Sequence, residues 1–283
     1  MSAVLQTAAV SAQGAAPATA ARPVTQVRVV CSEWTKLRAL RSTWWCGLLA
    51  VLLIVGLGAA IAGSGAPYKI SAGNSAAGGL AVSLAGVVIA QLVLGVLGVL
   101  GVLMFSGEYA TGMIRATLAV VPSRLPVLWA KLIVLVGLVV LPLSLLAAVA
   151  EFFVTTALES SRGGSAISLT DPGVLREVAG ASLYLAVIAV IGLALGGMLR
   201  RTAAGLSVFA AVFFVVPIVT AYLPHSIQGF APYLPSNAGG ALWGAGKLFG
   251  GQQLSPWNGF AVLCGYAVVL TGLAAWRLRR RDA

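Results

Sequence analysis

The residues able to do chemistry are few, and most of them are badly placed for it. Ser207 and His225, the single histidine, are the types an intramembrane serine hydrolase would pair. They sit at opposite ends of one apolar stretch, roughly 27 Å apart at the helical rise, and cannot meet. Gly244-Ala245-Gly246-Lys247-Leu248 resembles the end of a phosphate-cradling loop, but Ala241 stands where its first glycine belongs. Leu248 stands where its hydroxyl residue belongs. Cys31, Cys46 and Cys264 have no metal-ligand spacing and read as small apolar fillers. Glu151 is the carboxylate nearest to a membrane interior. Counted from Leu128, it falls either at an outer interface or on a central pathway. Glu108 and Arg115 stand seven residues apart, two turns along one helical face, with Tyr109 and Gly112 beside them. Both would then address one partner surface.

The elements that must position these residues are apolar. Six stretches, near 45–62, 80–106, 125–150, 179–199, 203–223 and 259–276, approach the ~20 residues that carry one helix across a ~30 Å hydrocarbon core. With 59% hydrophobic and 9% charged residues, the chain holds more apolar surface than a soluble core hides. The expected fold is therefore an all-α integral membrane protein of six transmembrane helices. The net charge of +11 raises nucleic acid as a partner, but the basic residues lie between spans rather than on one face, which excludes it.

Charge sets the orientation. With the N-terminus inside, fourteen of the eighteen Lys and Arg residues are cytoplasmic, and Lys69, Arg162, Arg176 and Lys247 are outside. The positive-inside rule gives both termini cytoplasmic. Trp44, Trp45, Trp129 and Trp276 fall at inner span ends and Trp257 at an outer one, where indole rings favour the headgroup level.

Residues 1–27 form an Ala-rich tail, expected to be a disordered cytosolic segment. In 28–45, Val30, Trp34, Leu37, Leu40 and Trp44 recur at three- and four-residue steps, while Glu33, Lys36, Arg38 and Arg41 occupy much of the remainder. This predicts an amphipathic helix in the inner interface, against a simpler reading as the solvated start of the first span. The run from Gly107 to Ser123 is either a connecting loop or a short amphipathic helix ended by Pro122. After Pro224, Pro232 and Pro235, a short re-entrant or surface helix is expected, capped by Ser236 or Asn237. Gly192-x-x-x-Gly196, with Gly95, Gly98 and Gly101, permits close helix approach, either within the chain or between subunits. Pro142 and Pro217 are expected to bend their spans.

Three segments together resemble a known family: Ser32-Glu33-Trp34-Thr35-Lys36-Leu37-Arg38, followed by Leu40-Arg41-Ser42-Thr43-Trp44; Gly107-Glu108-Tyr109-Ala110-Thr111-Gly112-Met113-Ile114-Arg115; and Leu234-Pro235-Ser236-Asn237-Ala238-Gly239. They are similar to bacterial type-2 ATP-binding-cassette (ABC) exporter permeases over about 28–277. The resemblance implies an elbow helix containing Glu33, Trp34, Lys36, Leu37, Arg38 and Arg41. It also implies a coupling helix after the second span, with Glu108, Tyr109, Gly112 and Arg115 matching the region that docks on the ATPase. It implies a second permease copy or paralogue and a separate ATPase subunit that holds ATP and Mg, with no cofactor on this chain. The chain itself would not be an enzyme. A multi-pass protein of the bacterial plasma membrane, exporting an amphiphilic or hydrophobic substrate, is the expectation. A self-standing channel or secondary transporter is the alternative.

Overall fold

The computed structural model describes residues 25–63, 87–121, 124–161, 168–170, 173–224, 228–243 and 254–280. Most of the N-terminal tail, the loop expected to be the first outer one with Lys69, and Pro122, Arg162, His225 and Lys247 lie outside them.

Helix α1 is Gln26–Ala39. Leu40 then leaves helical space (φ −82°, ψ 113°), and α2 begins with Arg41–Leu52, continuing through Leu53–Leu57 into Gly58–Gly63. Next come α3, Val87–Ala110, and the short α4, Met113–Val120. Helix α5 runs through Leu125–Leu132, Ile133–Val140 and Leu141–Ser161. Then follow α6, Val174–Leu199, and α7, built of Thr202–Ala210, Ala211–Val215 and Val216–Ala221. The last two are α8, Pro235–Gly240, and α9, Pro256–Arg280. Six of these, α2, α3, α5, α6, α7 and α9, contain segments long and apolar enough to cross a membrane. The protein is an all-α, multi-pass membrane protein among its described residues.

The expected amphipathic helix over 28–45 is cut short. The extended backbone at Leu40 ends it, so Arg41 and Trp44 belong to the first spanning helix. The third span is longer than expected, and α5 continues to Ser161.

Two spans change their winding just before a proline. Ile133–Val140 precedes Pro142, and Ala211–Val215 precedes Pro217; both are wound as wider i→i+5 turns. Proline brings no N–H to the carbonyl one turn earlier, and a widened turn lets that carbonyl find another donor.

Helix α6 is the axis of the bundle. Its most apolar window is 72% buried, against 17% for α7. In lipid no hydrophobic force draws helices together, so close packing of small residues must do so. Along α6 the small residues meet α3 backbone to backbone. A Cβ on Gly192 would strike the Gly98 carbonyl, and one on Gly196 would lie 2.5 Å from the Val102 carbonyl oxygen. The glycine motif is therefore spent on packing within the chain.

Helix α8 is enclosed by the bundle. Pro235, Ser236, Ala238, Gly239 and Gly240 are buried, and Gly239 faces the Tyr184 ring and Leu263. It thus sits beside α6 at Tyr184, roughly 15 Å along that helix. The expected side-chain cap is not made: Leu234 is the N-cap, Pro235 starts the helix, and Asn237 donates to the Ala231 carbonyl instead (2.9 Å). Trp44, Trp45, Trp129, Trp257 and Trp276 all face outward.

Replacing Gly196 by Ala pushes a methyl against backbone that has no rotamer to yield. The expected loss is about 1–3 kcal/mol. Gly272, whose Cβ direction is open, should tolerate Ala without loss. Thermal unfolding in detergent, comparing the two variants, checks this.

Candidate functional site

The chain's charged groups converge where α1 meets the bundle. Val29, Glu33 and Leu37 recur at four-residue steps and form the buried face of α1. Val29 packs with Val121, Val127 and Ala130, and Gln26 donates to the Pro126 carbonyl (3.1 Å). This lays α1 across the start of α5 and carries Glu33 to a place where only 1% of it stays exposed. The stripe expected from sequence holds at Leu37, but Val30 and Trp34 are half-buried and Leu40 and Trp44 exposed, and the buried face runs instead through Val29 and Glu33. Trp34 is half-buried with the Arg38 guanidinium 5.7 Å from its ring. Leu40, Arg38 and Arg41 are exposed. At the helix end, Trp44 Nε1 donates to the Arg38 carbonyl (3.1 Å), satisfying one of the last open acceptors.

Glu33 meets two lysines. Its Oε1 lies 2.6 Å from Lys36 Nζ, one turn on, and its Oε2 lies 2.7 Å from Lys131 Nζ on α5. Both ammonium groups also reach Glu108 Oε1 on α3, each at 2.9 Å. Two carboxylates and two ammonium groups thus form a neutral quartet. Lys36 Nζ adds a hydrogen bond to Thr117 Oγ1 on α4 (3.1 Å). Lys131 Nζ adds one to the Met104 carbonyl (3.4 Å) and lies 5.6 Å from the Phe105 ring. The quartet therefore joins α1, α3, α4 and α5 at one point.

Burial alone would push the Lys36 ammonium down, but its hydrogen bonds to Glu33 and Glu108 outweigh it. The Lys36 pKa stands above the ordinary 10.5.

The region after the second span is a short helix rather than a plain loop. It is not a continuation of α3. Gly112 takes the left-handed conformation (φ 73°) between Ala110 and Met113. A side chain rarely adopts that backbone, and glycine supplies it without strain. The break overturns the expectation that Glu108 and Arg115 share one helical face. Glu108 points into the quartet and is 8% exposed, whereas Arg115, Met113 and Val120 are exposed on α4 and Ile114 is its buried anchor. Tyr109 stacks beside Phe105 (centroids 6.0 Å apart), with the Arg200 guanidinium 5.3 Å from its ring.

Glu151 lies far from this site. It is fully buried, accepts a hydrogen bond from Thr155 Oγ1 (3.1 Å), and faces Gly58 of the first span, where no Cβ would fit. Lys131 and Glu151 are separated by roughly 30 Å along α5, one hydrocarbon thickness. Glu151 therefore lies about one hydrocarbon thickness from the quartet, and its side chain is turned into protein. Cys31 is exposed and Cys46 and Cys264 are half-buried, so the three are not all buried fillers. Among the described residues no three His, Cys, Asp or Glu side chains gather as a metal site requires.

Sequence reasoning named Glu33, Lys36 and Glu108 but assigned them to two separate elements; it counted Lys131 only among the orienting charges and placed Thr117 only on the apolar side of the short helix, pairing neither with a carboxylate. The available signal was a lysine several residues inside an apolar run, a position that lipid does not tolerate unpaired. No protein-family model matches the chain, and no curated protein matches it.

Removing one charge from the quartet strands the others. Lys131→Met should cost about 3–5 kcal/mol in detergent unfolding, and adding Glu33→Met should restore much of it, because an apolar replacement of a buried pair is often neutral. Lys36 gives a pH signature. Its folded pKa is raised, so its contribution is complete below 10.5 and is lost as pH climbs through the folded value. Wild type should lose stability on that alkaline limb. Lys36→Met should start lower and show a flatter limb in unfolding midpoints taken from neutral to strongly alkaline pH.

Proposed function

We propose that this chain is the membrane-spanning subunit of an ABC exporter, oriented with both termini in the cytoplasm of a bacterial cell. In this reading α1 is the elbow helix and α4 the coupling helix. A separate ATPase subunit, holding ATP and Mg, docks beneath, and a second permease copy or paralogue completes the transporter. An amphiphilic or hydrophobic substrate moves outward between the two permeases.

The observation that carries the reading is the junction of α1, α3 and α4. A short helix held away from its parent span by Gly112 presents Met113, Arg115 and Val120 outward. Its inner side is tied through Thr117 and Lys36 to the interfacial helix and, through Glu108 and Lys131, to two spans. A force applied to α4 reaches α1, α3 and α5 through hydrogen bonds and ion pairs. The basic residues that cluster between spans support the orientation. The mostly apolar spans favour a greasy cargo over a sugar or ion. The alternative, a self-standing channel or secondary transporter, would draw on Glu151 as a buried carboxylate.

The test is a pull-down of the tagged protein in mild detergent, assayed for ATPase activity and for a P-loop subunit. Arg115→Glu is the informative variant, because it changes the exposed face of α4 and leaves the quartet intact. Wild type should recover the ATPase, and Arg115→Glu should recover about tenfold less, the effect of ~1.4 kcal/mol at the contact. Folded protein recovered alone, without ATPase, would overturn the proposal in favour of the self-powered transporter.

A further inference from the structure

One face of the chain changes character in the order in which a membrane leaflet does. The first spanning segment opens at Arg41. From there Arg41, Trp44, Trp45, Leu48, Leu49 and Leu52 recur at three- and four-residue steps along α2, and all six are exposed. That spacing places them on one helical face. The face reads cation, then indole, then aliphatic. At the helical rise the two Trp lie about 5 Å from Arg41, and the leucines about 10–17 Å. A leaflet presents charged headgroups, then the interfacial level, then hydrocarbon over a comparable depth.

The end of α1 adds a second cation to the top of this face. Leu40 breaks the helix between Arg38 and Arg41 and is itself more than half exposed. Trp44 Nε1 donates to the Arg38 carbonyl across the break (3.1 Å), and the Arg38 guanidinium lies over the Trp34 ring, 5.7 Å from its centroid. One indole thus fixes the backbone at Arg38 and another supports its side chain. A guanidinium laid on a ring keeps its N–H edge for donation.

These two arginines carry no counter-charge of their own. Among the described residues neither Arg38 nor Arg41 lies within ion-pair distance of a carboxylate. Glu33 is the one acid between residues 25 and 45, and the quartet takes it inward to Lys36 and Lys131. Glu108, Glu151 and Glu177 are buried as well. Burial of Glu33 therefore leaves the outward side of this corner basic. An acidic protein surface would meet the arginines alone. A bilayer meets the whole face, with anionic headgroups for the arginines and acyl chains for the leucines below them.

We propose that the corner between α1 and α2 is a docking surface for anionic phospholipid. Arg38 and Arg41 take the headgroup phosphates, Trp44 and Trp45 sit at the interfacial level, and the leucines face the acyl chains. Basic residues beside a spanning helix attract anionic leaflets in this way. The proposal rests on the reading of α1 as an interfacial helix and needs no ATPase.

Quenching of tryptophan fluorescence by brominated lipid tests this. The purified chain is reconstituted in phosphatidylcholine vesicles that hold a fixed fraction of dibrominated phosphatidylglycerol or dibrominated phosphatidylcholine. Trp129, Trp257 and Trp276, which face outward elsewhere on the bundle, are changed to Phe, so that the lipid-dependent signal comes chiefly from Trp44 and Trp45. One arginine beside an anionic leaflet strengthens association about fivefold. Phosphatidylglycerol should therefore be favoured over phosphatidylcholine by about fivefold or more. Arg38→Gln with Arg41→Gln should lose most of that preference, and Arg38→Lys with Arg41→Lys should keep most of it. Arg201→Gln with Arg279→Gln removes two exposed charges elsewhere and should leave it unchanged. If the Phe background unfolds, the chain with its native tryptophans carries the same comparison, because parent and variant then differ only at the two arginines. Equal quenching by the two lipids in the parent would overturn the proposal and leave an acidic protein surface as the occupant. Equal loss in Arg201→Gln with Arg279→Gln would overturn it in favour of diffuse charge attraction. No ATPase enters this readout, so its failure and the failure of the exporter reading are separate results.

Discussion

A charge removed from water must find its opposite, and in this chain that requirement fixes the position of α1. Glu33 is held at 1% exposure between Lys36 and Lys131. Rotating α1 by one residue would carry the carboxylate toward lipid and leave Lys131 buried with half its partners. Such pairs add little net stability, because desolvation consumes much of the Coulombic gain. Their effect is on register: neighbouring rotations of α1 are disfavoured by a buried unpaired charge, and the observed one is not. The neutral sum of the quartet matters for the same reason. A third lysine or a missing carboxylate would leave an uncompensated ion at the base of two spans.

The quartet needs a frame that keeps its distances, and the contact of α3 with α6 supplies one. Gly192 and Gly196 bring α6 against the carbonyls of Gly98 and Val102, so these helices touch through backbone. Backbone contacts have no rotamers to relax into, and they fix how far α3 stands from its neighbours. Phe105 and Glu108, one turn apart on α3, then meet Lys131 from one side. Tyr109, the next residue, turns toward Arg200 at the end of α6. One close helix crossing thus places two polar clusters on different faces of α3.

The sequence made the spans readable because membrane thickness imposes a length that composition alone reveals. It left the segment after the second span open between a connecting loop and a short helix, because a run of that length before Pro122 fits either. It did not reveal the location of Glu33. Periodicity assigns carboxylates to the wet face by default, and Val30 and Trp34 offered a credible apolar stripe one residue from the real one. What decides between the two registers is a lysine about a hundred residues away, and pairing between distant segments leaves no local pattern. The i,i+3 spacing of Glu33 and Lys36 was visible but also fits an exposed helix pair. The same limit applied to Glu151: counting residues along its span said nothing of the side it faces.

The quartet also changes how Glu108 must be understood. Its Oε1 takes both lysines, and its Oε2 is enclosed without a hydrogen-bond partner. It sits at the end of α3, just before the left-handed Gly112. Reversing its charge would place three cations around Glu33 and would loosen α1, α3 and α5 together. A loss of partner binding in such a variant would report the collapse of the junction as readily as the loss of a contact. The exposed residues of α4 are separable from that junction, because α4 touches it through Thr117 and Lys36. Lys36 is the more exposed lysine of the quartet, at 30% of its side chain against 1% for Lys131. It is therefore the member of the quartet nearest to solvent, while Glu33 and Lys131 stay enclosed at the base of the bundle.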